Sequence, residues 1–317
     1  MTTSNTELAK RADIAIADLT TDGGYLQPEQ AETFIDMIME TPTIVQQARV
    51  HRMSRPEAKI DRLGFGDRIF HAAPQGTSPY ADDDGTNDRH LAAAKRAKPT
   101  TSQISLTTKE YMAEIHVPYE VLEDNLERGG FEAHLMRQIA GRAAIDFEEL
   151  ALWSDTDSGD ADLALQNGWL KRMTSHVVNN GSAGVSPDLF VNSLLAMPQK
   201  YLRDLGALKH FITVANGIRY RQKVAQRVGA YGDTMLQQAA PIYAAGVGVE
   251  TAPMLAAQGT GNVGFTTFPK NLVFGIRRDI QIESMREIRA REIIVVVTAR
   301  LGFQIDDADA TVKLTNI

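Results

Sequence analysis

The stretch Asn271-Leu-Val-Phe-Gly-Ile-Arg-Arg-Asp-Ile-Gln-Ile282, with Met285-Arg-Glu-Ile-Arg-Ala-Arg-Glu292 and Ile293-Ile-Val-Val-Val297 behind it, decides the architecture. Two runs of β-branched and aromatic residues flank a run of mixed charge. Such side chains suit a pleated, half-buried surface, and period-two stretches place strands at Leu272–Ile276, Ile280–Ile282 and Ile293–Leu301. The charged run then reads as a hairpin tip presenting Arg286, Glu287, Arg289, Arg291 and Glu292. A last strand, Ala310–Leu314, makes the C-terminal part strand-dominated. Apolar strand faces need a cover.

Working outward, the cover is a helix. Phe131, Leu135, Ile139, Ala143, Phe147, Leu150 and Trp153 form a ladder on one helix face, spanning roughly 34 Å at 1.5 Å per residue. Val117-Pro-Tyr-Glu-Val-Leu-Glu-Asp-Asn125 reads as its opening, with Pro118 in the first turn and Gly129-Gly130 as an interruption. If the late strands return to this helix, the domain is discontinuous: residues 28–56, 105–158 and 269–317, with 159–268 inserted. The insert alternates helix 188–204, strand 209–214, helix 216–228 and short β-like pieces around 235–255. That pattern is a compact α/β unit.

Upstream, residues 1–27 read as a polar arm, Pro28–Glu40 as a short helix and 43–53 as a strand. Residues 57–104 hold few large apolar side chains but many Gly, Pro, Asp and Ala. Their flanks, Ala58–Phe70 and Thr100–Ile115, have enough β-formers to pair. A loop this long without a core usually has a task. The two readings are an insertion without order and a long β-hairpin that packs on another molecule, with Asp82, Asp83 and Asp84 as candidate contacts.

Composition excludes several classes. The 317 residues contain no cysteine, so disulfides, thiolate chemistry and sulfur-ligated zinc are out. The net charge of -7 gives no basic footprint for gripping nucleic acid. The start, Met1-Thr-Thr-Ser-Asn-Thr-Glu, lacks the pattern of a signal peptide, which makes a cytosolic origin the expectation.

Motifs fare no better. Gly259-Thr-Gly-Asn-Val-Gly264 matches a dinucleotide fingerprint, but β-prone Phe265-Thr-Thr-Phe-Pro269 follows where a helix should begin. The Asp155–Asp162 cluster misses the calcium-loop register, because Gly159 falls at the fifth position. Seven histidines are scattered without metal-ligand spacing. Adjacent Glu148 and Glu149 read as a solvated or salt-bridged pair. The expectation is no catalytic residue, no metal and no cofactor.

The order of these parts resembles the Hong Kong 97-type major capsid proteins of tailed bacteriophages. Val117–Asn125, Ala143-Ala-Ile-Asp-Phe-Glu-Glu-Leu150, Asn271–Ile282, Ile293–Gly302 and Ala310–Thr315 carry the likeness, which covers residues 25–315. The resemblance implies an α+β fold with an N-terminal arm (1–27), an extended β-hairpin loop (57–104), a long spine helix with a peripheral β-sheet, and an inserted α/β axial domain (159–268). It also implies hexamers and pentamers closing an icosahedral shell around double-stranded DNA, without sequence-specific contacts and without a membrane. The 57–104 loop would lie over an adjacent subunit, and the Arg286–Glu292 tip would meet neighbouring copies. A separate scaffolding protein and a portal are expected, decoration proteins are open, and assembly would occur in the host cytoplasm. Some relatives crosslink lysine to asparagine, for which Lys95, Lys98 and Asn271 are the positions to inspect. An encapsulin-like compartment holding cargo enzymes is the alternative.

Overall fold

Strand β11 (Glu292–Ile305) organises the larger unit, because its alternate residues Ile293, Val295, Val297, Ala299 and Leu301 are all buried. In the computed structural model, which describes residues 42–65, 68–73, 91, 93–119, 131–226, 241–258 and 262–317, β11 lies inside a four-stranded sheet. Its order is β1 (Arg49–Arg52), β10 (Leu272–Glu287), β11, β4 (Lys109–Pro118). β1 joins β10 in parallel, while β10–β11 and β11–β4 are antiparallel. The two C-terminal strands expected at Leu272–Ile276 and Ile280–Ile282 are one 16-residue strand, bent by register shifts on either side of Arg278.

Helix α1 (Phe131–Trp153) covers this sheet, with Ile139 packed among Ile293, Val295 and Val297. Two expectations about it need correction. Val117 and Pro118 do not open the helix; they end β4, opposite Ile293 and Glu292. Proline is acceptable there because β4 is an edge strand and Pro118 closes its ladder. Nor is α1 buried along one stripe: Ile145, Glu148, Ala151 and Leu152 are buried as well, while Phe147, Leu150 and Trp153 are partly so. The expected strand at 43–53 is also shorter. Residues 44–48 form a turn in which Ile44 O accepts from Gln47 N and Ala48 N, and only Arg49–Arg52 is extended.

After α1, Gly168 sits so close to the helix end that a Cβ would lie 2.8 Å from Ala151 O and 3.0 Å from Leu152 O. That approach lets α2 (Trp169–Arg172) drive the Trp169 ring wholly into the core. Helices α3 (Pro187–Ala196) and α4 (Val214–Ala225) replace the helices expected at 188–204 and 216–228: the first ends early, and the second starts at Val214, where the strand expected over 209–214 has already stopped at Ile212. Ser186 Oγ accepts from Leu189 N ahead of Pro187, and Thr213 Oγ1 accepts from Asn216 N.

These helices accompany a six-stranded sheet ordered β5 (Val177–Asn179), β12 (Thr311–Thr315), β9 (Val263–Thr267), β6 (Lys209–Ile212), β8 (Val247–Thr251), β7 (Ile242–Ala244). Thr311–Thr315, read with the late strands from sequence, pairs here with β9 and β5 instead. Val312 and Leu314 belong to the apolar core shared by Leu189, Phe190 and Ile212.

That core contains His210, fully buried, with Nδ1 2.7 Å from Thr266 Oγ1 and its ring 4.6 Å from that of Phe190. Burial pulls its pKa down to about 4 from 6.5, so the folded protein keeps it neutral. As pH falls from 6.5 towards 4 the unfolded chain gains a proton that the fold refuses, and stability drops. The loss from this group reaches about 3 kcal/mol at 1.36 kcal/mol per unit and then levels off. Chemical denaturation at several pH values should show His210→Gln losing that much less than the parent over this window. Parallel profiles would refute the assignment.

Backbone contacts set Glu57–Leu106 apart as a second unit. It holds a two-stranded sheet, β2 (Glu57–Gly64) with β3 (Thr100–Thr107), in which Gln103 Nε2 donates to Asp61 Oδ1 at 2.6 Å. The Thr100–Ile115 segment expected as one strand is therefore two, β3 and β4, in different sheets. Leu63, Phe65, Ile69 and Phe70 are exposed on this unit. The 1–27 arm and the Pro28–Glu40 helix lie outside the described residues.

Candidate functional site

The described residues offer no metal cluster: no three His, Asp or Glu side chains converge. At the 155–162 loop, the Lys171 ammonium lies 2.9 Å from Asp155 Oδ1 and 2.8 Å from Asp157 Oδ2, where a cation would sit. Of the glycine motif, Gly259–Gly261 fall outside the described residues, and the rest leads into strand β9 rather than a helix.

Glu148 departs from expectation. Its side chain is fully buried, not solvated, and its oxygens accept from Ile44 N at 3.1 Å, Val45 N at 3.4 Å and Thr43 Oγ1 at 3.3 Å. Burial raises its pKa above the ordinary carboxylate range, and the N–H donors pull the other way. The carboxylate accepts the otherwise unpaired N–H groups that open the 44–48 turn and fastens that segment to the C-terminal part of α1. Glu149 faces outward and accepts from Gln258 Nε2 at 2.7 Å. Asn271 is similarly committed: its amide donates to Asp307 O at 2.8 Å, and its Oδ1 accepts from Asp307 N at 2.7 Å.

The charged run forms the β10–β11 hairpin tip. Arg286 and Glu287 end β10, residues 288–291 turn, and Glu292 starts β11 opposite Glu287. Arg291 closes the turn at φ +58°, a left-handed conformation that a non-glycine residue adopts at some cost. Its carbonyl accepts from Tyr119 N at 2.9 Å. Two like charges facing across a ladder repel. Glu292 finds relief in His116, whose Nδ1 lies 2.9 Å from Glu292 Oε1 while Nε2 lies 3.0 Å from Glu114.

The five charged candidates thus divide. Glu292 is half-buried and spent inside the chain, whereas Arg286, Arg289 and Arg291 are exposed with Ile288, 82% exposed, and Met285, 59% exposed. Asp82, Asp83 and Asp84 lie outside the described residues. Sequence reading counted the tip charges and passed over its apolar pair, which charged neighbours on both sides had masked.

A braced hairpin ending in three arginines and two apolar side chains is suited to docking. It has no group placed for bond chemistry. No family model matches the chain. Over 321 residues it is 34% identical to YqbE of Bacillus subtilis (strain 168), named as a prophage capsid protein, covering 99% of each chain. Among solved structures, the capsid of a native GTA particle matches with a TM-score of 0.63 at 16% identity, over 95% of this chain and 99% of that one. The Mycobacterium phage Adephagia chain matches at 0.62 and 15% identity, over 96% and 98%. The satellite phage P4 procapsid, with its size determination protein, gives 0.59 and 13% identity, over 96% and 98%.

Proposed function

The chain belongs to the family of phage capsid proteins with the Hong Kong 97-type fold, and from that premise we propose that it closes, as hexamers and pentamers, into the icosahedral head around a double-stranded DNA genome. It is a structural protein, and no step of bond chemistry is assigned to it. The observation that carries the assembly reading is apolar surface that a single chain leaves in water. Leu63, Phe65 and Phe70 of the Glu57–Leu106 unit are 72%, 53% and 88% exposed, and Ile288 stands at the hairpin tip. An isolated two-stranded sheet is marginal in water, so this unit gains its stability from whatever covers it. In a ring of copies each chain supplies that cover to the next, through heterologous contacts that close by rotation.

The peripheral part comprises the four-stranded sheet with α1, and the axial part comprises the six-stranded sheet with α3 and α4, taking in Thr311–Ile317. In this reading a separate scaffolding protein and a portal complete the assembly in the host cytoplasm. Electron microscopy of the expressed chain, alone and with its neighbouring phage genes, tests this reading. Closed shells that fill with DNA are the expected result. Shells that enclose enzymes would favour the cargo compartment, and a monodisperse monomer under every condition would overturn both.

The tip gives a sharper check. Arg289→Glu should lower shell yield several-fold and leave the unfolding free energy within about 0.5 kcal/mol of the parent, as an exposed substitution does. Normal yield would remove the tip from the interface.

A further inference from the structure

We propose that His116 is a proton-operated brace on the hairpin tip. Its imidazolium ties Glu114 of β4 to Glu292 of β11, and losing the second proton frees the start of β11 and the turn before it. The step from brace to assembly rests on the shell reading; the brace itself does not.

The geometry around the ring carries the brace. His116 Nδ1 lies 2.9 Å from Glu292 Oε1, and Nε2 lies 3.0 Å from Glu114 Oε1. A neutral imidazole has one N–H donor and one lone pair, so it can satisfy a carboxylate on one side only. At its other nitrogen the lone pair would meet a carboxylate oxygen at hydrogen-bond distance. Both contacts are favourable together when an extra proton is present. Carboxyl groups ordinarily titrate at about 4 and histidine at about 6.5, so the ring is the group that takes it.

The neighbouring charges favour the same form. Residues paired across an antiparallel ladder share a face, and His116 stands opposite Ile294. That face also carries Glu114 on β4, Glu292 on β11, and Glu283 and Glu287 on β10. Arg278 approaches Glu283 at 3.8 Å, while Arg286 stands opposite Ile293, on the side that α1 covers. Along the described ladder positions Met112–Pro118, Gln281–Glu287 and Glu292–Thr298, His116 is the one basic residue on this face beside four carboxylates. Glu287 and Glu292 oppose each other directly, so the last pair of the hairpin ladder bears the repulsion once the imidazolium is gone. Arg289 and Arg291 of the turn are exposed, and Arg291 O accepts from Tyr119 N beside the end of β4. Because the fold favours the protonated ring, the brace is complete below about 6.5 and is lost as pH rises through the higher value that the folded chain sets.

Hydrogen exchange of residues 286–292, in the parent and in His116→Gln at matched pH, reads the brace whether or not shells form. At about pH 6 the parent should exchange at least threefold more slowly, and by about pH 9 the two should coincide. No difference at the lower pH, or a ratio that stays constant, would overturn the brace. His116→Lys keeps its positive charge across this range, since lysine titrates at about 10.4, and should hold the tip closed throughout. A loss of protection in that variant matching the parent's would also overturn the proposal.

Shell formation reads the second step. The parent should need at least threefold more protein to form shells at about pH 9 than at about pH 6, with His116→Lys changing clearly less. A brace that titrates while the two chains share one shell threshold at every pH would overturn the link to assembly. A brace that titrates in a chain forming no shells under any condition would sink the shell reading and leave the brace standing.

Discussion

Trp169→Ala is expected to lower the unfolding free energy by about 3–5 kcal/mol, the range for removing a large buried aromatic side chain. The residue is fully buried among Leu272, Phe274, Leu301 and Phe303, with its ring edge-on to Phe303 at 6.3 Å. Its Nε1–H reaches Val273 O at 3.3 Å and Gln304 O at 3.1 Å, carbonyls of residues paired across β10 and β11. The ring therefore fills the core and also bridges the base of the hairpin that carries the tip. Urea titration measures the loss. Trp169→Phe separates the two roles, since it keeps most of the volume but strands the hydrogen-bonding capacity, and it should cost roughly 1–2 kcal/mol. A loss below about 1 kcal/mol for the alanine variant would mean that the packing at this position collapses freely around the gap.

Glu148→Ala is the second large effect, at about 3 kcal/mol. Truncation leaves the Ile44 and Val45 N–H groups and the Thr43 hydroxyl without their acceptor, in a site where Ile44 is wholly buried. The segment fastened there leads into β1, so hydrogen exchange should rise at Arg49–Arg52 before it rises in β10 or β11. Uniform protection across the sheet would refute the clamp. Acid has a distinct signature. A carboxyl whose folded pKa is raised contributes stability that is complete below its unfolded value and is lost as pH rises through the folded one. The parent should therefore lose stability through that window, and Glu148→Ala should not show the same slope.

The local grammar of this protein was legible in its residues. Helices expected from about 188 and 216 are present from Pro187 and Val214, although the capping hydroxyls of Ser186 and Thr213 formed no part of that expectation and Thr213 fell in a stretch expected as strand. Ile293–Val297 reads as strand because β-branched side chains favour the pleat, and Arg286–Glu292 reads as a tip because charges concentrate where strands reverse. The order of these parts carried the resemblance to the capsid family, and it was that resemblance that implied the α+β capsid fold the comparisons support.

What needed the tertiary structure were choices between partners distant in sequence. Pro118 could open a helix or end a strand, and β11 decided by pairing with Val117 and Pro118. Thr311–Thr315 had strand propensity for either sheet, and the open position between β9 and β5 claimed it. Glu148 looked like any helix-surface acid until residues more than a hundred positions away supplied its hydrogen-bond donors. Propensity, capping and periodicity are written within a few residues of the position they govern. Pairing register, burial of a charge and the neighbours of a histidine depend on which distant segments meet, and a local pattern leaves that choice open.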